Sequence, residues 1–361
     1  MDLVFGNDLN SGDPIEIICK ILNISKIEEA SNAIQDGKLI IDYLIRQLVL
    51  SRHKMMSGKK TQNYITNFHK VISLIDNASN IVVLLGAGGS VGPDFRSPGG
   101  LYDQIAKSNV FEDPTCIFDL DVFHQHSSVF WQFAHLFFPS ETPEHSCVHY
   151  FIERLEKNGK LLKLYSQNVD TLECGIPEEK LRCVHGSWRN NKCLGCGENH
   201  SVDDLRPYVL EKTEPRCKNC GGIIKPGVVF FGEKTFFDEM EAYYDSMKAD
   251  LFIAIGTSLL VSPISSLPIF MSNVPSVFIN RAPMHVEFNA KLLGDCNNIV
   301  KIIENELNWN ETESIHKKEC SFMEPNLFVF ESNNILDTKI VSNPRNDFLV
   351  FSVPMNVDDL Q

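Results

Sequence analysis

An α/β architecture is expected for this chain: a parallel sheet layered with helices, a smaller cysteine-bearing module, and a helical N-terminal extension. Short β-branched runs bounded by glycine alternate with longer amphipathic stretches from Ile81 to about Leu307, which is the signature of repeated strand–helix–strand units. The first run, Ile81–Leu85, opens onto Gly86-Ala87-Gly88, and two Cys-x2-Cys pairs interrupt the alternation farther on.

Residues 1–75 carry apolar positions at helical spacing, as in Ile15-Ile18-Cys19-Leu22 and Ile40-Leu44-Leu48, and are expected to form a helical N-terminal extension. Residues 76–308 form the expected core, with a Rossmann-like part at 76–189 and 223–308. The strands predicted there are Ile81–Leu85, Leu162–Tyr165, Val228–Phe231, Leu251–Ile255, Ser276–Ile279 and Asn298–Lys301. The inserted module, 190–222, is polar and lacks a strong period, so it has little core of its own to bury and would rely on a metal. Residues 309–361 read as an acidic tail whose apolar runs Leu327–Phe330 and Phe348–Val353 would add edge strands.

With 361 residues, 43% of them hydrophobic, the chain can bury a sizeable core, and a soluble globular protein is expected. A net charge of −14 opposes attraction to nucleic-acid backbones and favours basic partners, so a zinc-ribbon nucleic-acid binder ranks low. Eleven cysteines, an odd number, with no apolar leader at the N-terminus, fit a reducing compartment. The uncharged stretch Leu251–Asn280 is interrupted by Gly256, Pro263, Pro268 and Pro275, and is read as strand, loop, helix and strand rather than a membrane span.

Four motifs carry chemistry. Gly86-Ala87-Gly88 after a strand is half of a dinucleotide fingerprint, because glycine lets the backbone approach a pyrophosphate. The third glycine position holds Val91, and Asp103 is the nearest acidic residue for a ribose; an ordinary strand-to-loop turn is the alternative. Asp94-Phe95-Arg96 follow, with Arg96 suited to a phosphate or to ordering the loop.

Cys193-x2-Cys196 and Cys217-x2-Cys220 stand twenty residues apart, the spacing of a four-thiolate structural zinc site, with a redox pair as the alternative. Gln167-Asn168-Val169-Asp170 falls at the C-terminal end of a predicted strand, where open α/β sheets bind ligands, although Asn and Asp could also cap a helix. His185, before Gly186-Ser187, is either a general base or a structural histidine.

Taken with GTSLLVSP, KPGVVFFGE, CVHGS and INR, these segments resemble the sirtuin family of NAD-dependent protein deacylases, over about Ile81 to Asn308. DPTCIFDLDVF and LLGDCNNIV resemble its nuclear, silent-information-regulator branch. The resemblance implies an NAD-dependent protein lysine deacetylase acting on histones or other acetylated proteins, releasing nicotinamide and O-acetyl-ADP-ribose, with one structural zinc per chain. It implies His185 as general base, with Asn168 and Asp170 lining the nicotinamide and ribose pocket and Gln167 and Val169 beside them. Gly86, Ala87, Gly88, Ser90, Asp94, Phe95 and Arg96 would serve the cofactor loop, and Gly256, Thr257 and Ser258 the phosphate and ribose. Asn280 and Arg281 would meet the adenosine ribose and Cys296 the adenine. Val228, Val229, Phe230, Phe231, Gly232 and Glu233 would pair with the substrate backbone by β-augmentation. Acetyl-lysine in basic proteins such as histone tails, and silencing-complex proteins, are the implied partners. The implied location is the nucleus, with the cytoplasm otherwise.

Two departures from the family pattern stand out. The loop from Gly88 to Asp94 is about three residues shorter than usual and lacks an isoleucine before Pro93, and Gly89 replaces an aliphatic residue, which would loosen the turn. Gly227 stands where an acidic residue follows Lys-Pro. A catalytically weak NAD-binding silencing scaffold that recruits chromatin partners is therefore the competing reading.

Overall fold

The computed structural model describes residues 64–309, apart from 66, 91–94, 96–98, 143, 174 and 285, together with the backbone of four short strands between 320 and 351. Most of the expected N-terminal extension lies outside the described residues. At its end, the helix α1 (Phe68–Asn77) is capped by the Asn67 side chain and buries Val71 and Ile75 against the core.

Strand β1 (Ile81–Leu85) is buried at every position. After it come α2 (Leu101–Lys107), α3 (Leu120–Phe133), α4 (Cys147–Lys157), β2 (Leu161–Ser166) and β3 (Leu181–Cys183). The inserted module contributes β4 (Asn191–Cys193), β5 (Asn199–His200), α5 (Val202–Leu210) and β6 (Ile224–Lys225). The chain then returns through α6 (Glu239–Lys248), β7 (Leu251–Ile255), α7 (Leu267–Phe270), β8 (Ser276–Asn280), β9 (Ala290–Leu293) and α8 (Cys296–Glu306). Two further strands, β10 (Cys320–Glu324) and β11 (Leu327–Phe330), complete an eight-stranded sheet of order β10-β11-β9-β8-β7-β1-β2-β3. All neighbours run parallel except β10 and β11. The strand order reverses between β1 and β7, which creates a crevice above their C-terminal ends.

Residues that alternate along the strands feed two cores. Ile81, Val83, Leu85, Ile253 and Ile255 face α1, α4 and α8, while Val82, Leu84, Phe252 and Ala254 face α6 and α7. A third core is largely aromatic: Phe118, Phe123, Phe130, Trp131, Trp188 and Phe230 pack mostly edge to face, with ring centroids 5.1–6.2 Å apart.

Several expectations need correction. Asn298–Lys301 is helical, not a strand: Asp295 caps α8, and Cys296, Ile299, Val300 and Ile303 form one buried stripe at helical spacing. Val228–Phe231 makes only isolated bridges, Gly186 to Val228 and Asp119 to Phe231, because its amides are shared between two different neighbours. The cysteine module does bury a core, since Cys193, Leu205, Val209 and Cys217 join the aromatic cluster. The stretch Leu251–Asn280 is strand, loop, helix and strand as read from its prolines, and no described helix is long and apolar enough to cross a membrane.

Candidate active site

The loops after β1 and β7 meet in the crevice, and glycine is what allows it. Gly256 has φ +63°, and a Cβ there would lie 2.1 Å from the Gly89 amide nitrogen, while one on Gly86 would lie 2.6 Å from the Gly256 carbonyl oxygen. The Gly88 amide donates to that same carbonyl at 2.8 Å. The glycines therefore serve first to interlock two protein backbones. Gly89 does not loosen the turn: it is buried in a hydrogen-bonded 3-10 turn, where a Cβ would press on Leu85 at 2.6 Å. Its carbonyl accepts from the Ser146 hydroxyl at 2.6 Å, tying the turn to the start of α4.

Beyond this crossing lies a cavity of about 680 Å³, lined by Ala87, Gly88, Ser90, Phe95, Gln167, Asn168, Val169, His185, Val228, Val229, Phe231, Gly256, Thr257, Ser258, Asn280, Arg281 and Cys296. Sequence reasoning missed Tyr102, Phe118, Leu260, Val261 and Ala282 in its wall. Phe118, Leu260 and Val261 lie in segments recognised only for their resemblance, with no role given to these side chains. A smaller cavity of about 340 Å³ continues past Ser90 and Asn168 and is lined by Asp170. Phe230 faces away, buried in the aromatic core. Asp94 and Arg96 lie outside the described residues. Asp103 is not placed for a ribose: it accepts from the Gly99 amide at 2.9 Å and pairs with Lys107 at 3.1 Å on its own helix.

The Gln167–Asp170 segment forms no helix, so it does not act as a cap. Instead its polar atoms form a relay. The Asn168 amide nitrogen donates to the Ser166 hydroxyl at 3.1 Å, and that hydroxyl donates to the buried Glu173 carboxyl. Burial pushes the Glu173 carboxyl above the usual carboxylate range. The Asn168 side-chain nitrogen donates to the Ser90 hydroxyl at 2.7 Å, and Ser90 donates to Asp170 at 3.0 Å. Thr257 donates to Gln167 Oε1 at 2.8 Å. Asn168 Oδ1 and Gln167 Nε2 are buried without a hydrogen-bond partner among the described residues. Thr171, next in the chain, sits at φ +65°, a strained conformation for a β-branched residue, and its carbonyl accepts from Arg189 at 2.9 Å.

His185 lies across the cavity, and burial alone lowers its pKa to about 4, so the imidazole is neutral at pH 7. Its carbonyl accepts from the Val229 amide at 2.8 Å, and Gly227 accepts from Ser187 at 3.2 Å. Here too two backbones cross on glycine: a Cβ on Gly227 would lie 2.4 Å from the Ser187 carbonyl oxygen. Phe231 uses its amide on Phe118 and its carbonyl on Leu120. Cys296, at the first turn of α8, has its thiol pushed up to about 12 by burial, and its Sγ donates to the Ile279 carbonyl at 3.7 Å.

The thiols of Cys193, Cys196, Cys217 and Cys220 lie within 4.8 Å of one another and could hold a metal ion. Close sulfur contacts run between the knuckles, Cys193 to Cys220 at 3.4 Å and Cys196 to Cys217 at 3.7 Å, as one shared site for all four thiols requires.

Residues 86–263 match the profile described as Sir2 family. The NAD-dependent protein deacetylase hst2 of Schizosaccharomyces pombe is 36% identical over 262 residues, covering 68% of this chain and 77% of the relative. The chain belongs to the Sir2 family. Within it, the NAD-dependent protein deacetylase sir-2.1 of Caenorhabditis elegans is 36% identical over 263 residues, covering 70% of this chain and 43% of that one. The chain thus spans less than half the length of the first curated relatives it matches. Among solved structures, a Sir2 variant with a deacetylated p53 peptide and 3'-O-acetyl ADP-ribose superposes with a TM-score of 0.58 at 27% identity, covering 66% of this chain and 98% of that one. The Sir2-family chain has the parallel α/β fold class expected from its sequence.

Proposed function

We propose that this Sir2-family protein is an NAD-dependent protein lysine deacetylase that acts on histones or other basic proteins in the nucleus, with zinc as a structural ion. The observation that carries the reading is the convergence of His185, Asn168 and the Val228–Val229 strap on one cavity at the switch point of the sheet. Relatives named NAD-dependent protein deacetylases support the chemistry, and the Candida glabrata relative named histone deacetylase SIR2 supports a chromatin substrate. The net charge of −14 suits a lysine-rich partner.

The residues present fit NAD. Gly88, Thr257 and Ser258 would hold its phosphates and ribose, Asn280 and Arg281 the distal ribose, and Cys296 the adenine. The orphaned Asn168 Oδ1 and Gln167 Nε2 would find partners at the nicotinamide end. When bound, NAD supplies a ribose carbon that becomes electrophilic as nicotinamide departs. Asn168 and Asp170, held by Ser90, present amide and carboxylate oxygens that favour the positive charge developing there. His185, neutral because buried, is in the protonation state needed to accept a ribose hydroxyl proton on its free ring nitrogen. Phe95, Tyr102 and Phe118 give the acyl-lysine stem a dry wall that would reject a charged, unacylated lysine. The cysteine cluster, with four thiolates filling a tetrahedral ion, leaves no position for substrate and would stabilise the lobe.

The test is mass spectrometry of an acetylated histone-tail peptide incubated with the protein, with and without NAD. Deacetylated peptide and acetylated ADP-ribose should appear together, only with NAD. In His185→Ala the yield should fall about a hundredfold or more while NAD still binds. Full activity in that variant would remove the assigned role.

A further inference from the structure

The strap that follows β6 is wrapped around a single buried ammonium. Lys225 Nζ donates to the Val228 carbonyl at 2.8 Å and the Pro226 carbonyl at 3.1 Å, and pairs with Glu233 at 2.8 Å. It also sits 4.3 Å from the centroid of the Phe230 ring. Its side chain is only 11% exposed. Glu233 closes the loop by accepting from the Phe230 amide at 2.7 Å. One cation therefore holds both ends of the Val228–Glu233 segment, although it touches the cavity nowhere.

What this does to the cavity follows from backbone geometry. Val228 makes an antiparallel bridge with Gly186, and in such a segment successive carbonyls point to opposite sides. With the Val228 carbonyl drawn to Lys225, the Val229 carbonyl is turned the other way, to the side where its own amide meets His185 and where the cavity lies. The Val228, Phe230 and Phe231 carbonyls already accept from Lys225, the Glu233 amide and the Leu120 amide, so the Val229 carbonyl is what the strap can offer a substrate N–H at this point. We propose that Lys225 is a positioning residue for substrate: by holding the Val228 carbonyl, it aims the Val229 carbonyl at the amide N–H of the acylated lysine. The charge is needed because a neutral side chain cannot satisfy two carbonyls and a carboxylate while buried.

This inference rests on the deacetylase reading, and the experiment separates the two. Initial rates are measured for wild type, Lys225→Met and Glu233→Gln with an acetylated histone-tail peptide and NAD, each varied in turn, alongside peptide binding by fluorescence anisotropy and thermal melting. Lys225→Met keeps the apolar stem and removes the charge. Its peptide KM and Kd should rise about tenfold or more, the loss of one well-placed hydrogen bond, with the NAD KM within about twofold of wild type. Glu233→Gln retains an acceptor for the Phe230 amide and should show a smaller shift in the same direction.

If the peptide and NAD constants worsen together along with the melting temperature, Lys225 is only a structural residue and the inference fails. It also fails if an active enzyme is indifferent to Lys225→Met. A folded wild type that neither binds nor turns over the peptide overturns the deacetylase reading, and this inference with it.

Discussion

The parallel sheet and the cysteine-bearing lobe solve the problem of burial in opposite ways. Strands β1 and β7 are apolar and buried at all five positions, so each residue contributes to a core on one face or the other. The lobe has strands of two or three residues, and its interior is built from aromatic rings supplied by α3 and its flanks, with a few aliphatics from the module. The sheet holds itself by area removed from water. The lobe combines a borrowed core with four clustered cysteines, and its two knuckles meet through sulfur contacts and the Leu194 amide to Ile223 carbonyl hydrogen bond. Stability in the sheet is thus spread over many side chains, and in the lobe a bound zinc would add a contribution concentrated on four cysteines.

Cys217→Ala is the sharpest way to break this contrast. A structural zinc contributes on the order of 10 kcal/mol to a small metal module, so the variant should lose its zinc by elemental analysis. Amides of β4 and β6 should then exchange rapidly in hydrogen–deuterium exchange, while those of β1 and β7 stay protected. Retention of one zinc per chain would sink the assignment. If β1 opened as well, the lobe and sheet would be one cooperative unit.

Ile253→Ala tests the other side. Ile253 is fully buried between β7 and the helices α4 and α8, and its truncation should cost about 2–5 kcal/mol in global unfolding by denaturant titration, with zinc content unchanged.

Acid should expose a third difference, because His185 lies on the segment joining sheet to lobe. Its folded pKa is about 4, below the ordinary value of 6.5, so between those values the unfolded chain binds the extra proton. Stability from this group is complete above the unfolded value and is lost as pH falls toward 4, by up to about 3 kcal/mol. His185→Ala should flatten that part of the stability–pH curve; an unchanged slope would show that other groups cause it.

The smallest effect expected is at Gly227, where a methyl group would press on the Ser187 backbone. Gly227→Ala should cost about 1–3 kcal/mol and shift the strap relative to His185. A neutral result in thermal melting would mean the two backbones separate easily.

The legibility of the sequence follows the same division. β1, β7 and β8 stand out because uninterrupted apolar runs ended by glycine or by polar residues have few other uses. Asn298–Lys301 misled because its β-branched residues lie on a helix stripe that shows only when Cys296 and Ile303 are counted with them. β9 went unread, since Ala290–Leu293 is a short run containing Lys291. In the site, the polar and glycine positions were readable from chemistry and from resemblance. Tyr102, Phe118 and Leu260 were not, because an apolar residue that walls a cavity looks the same in sequence as one in the core. The role of Gly227 was hidden for a related reason: only the position of Ser187 shows that no side chain has room there.

The far edge of the sheet has a practical meaning. Strand β11 lies parallel against β9 from Leu327 to Val329, and β10 folds back antiparallel over it. Cutting the chain after Trp309 would move the sheet's edge on this side from β10 to β9. Ala290–Leu293 would then be the template for a neighbour's strand, so a shortened protein should pair with other chains through a different edge from the longer one.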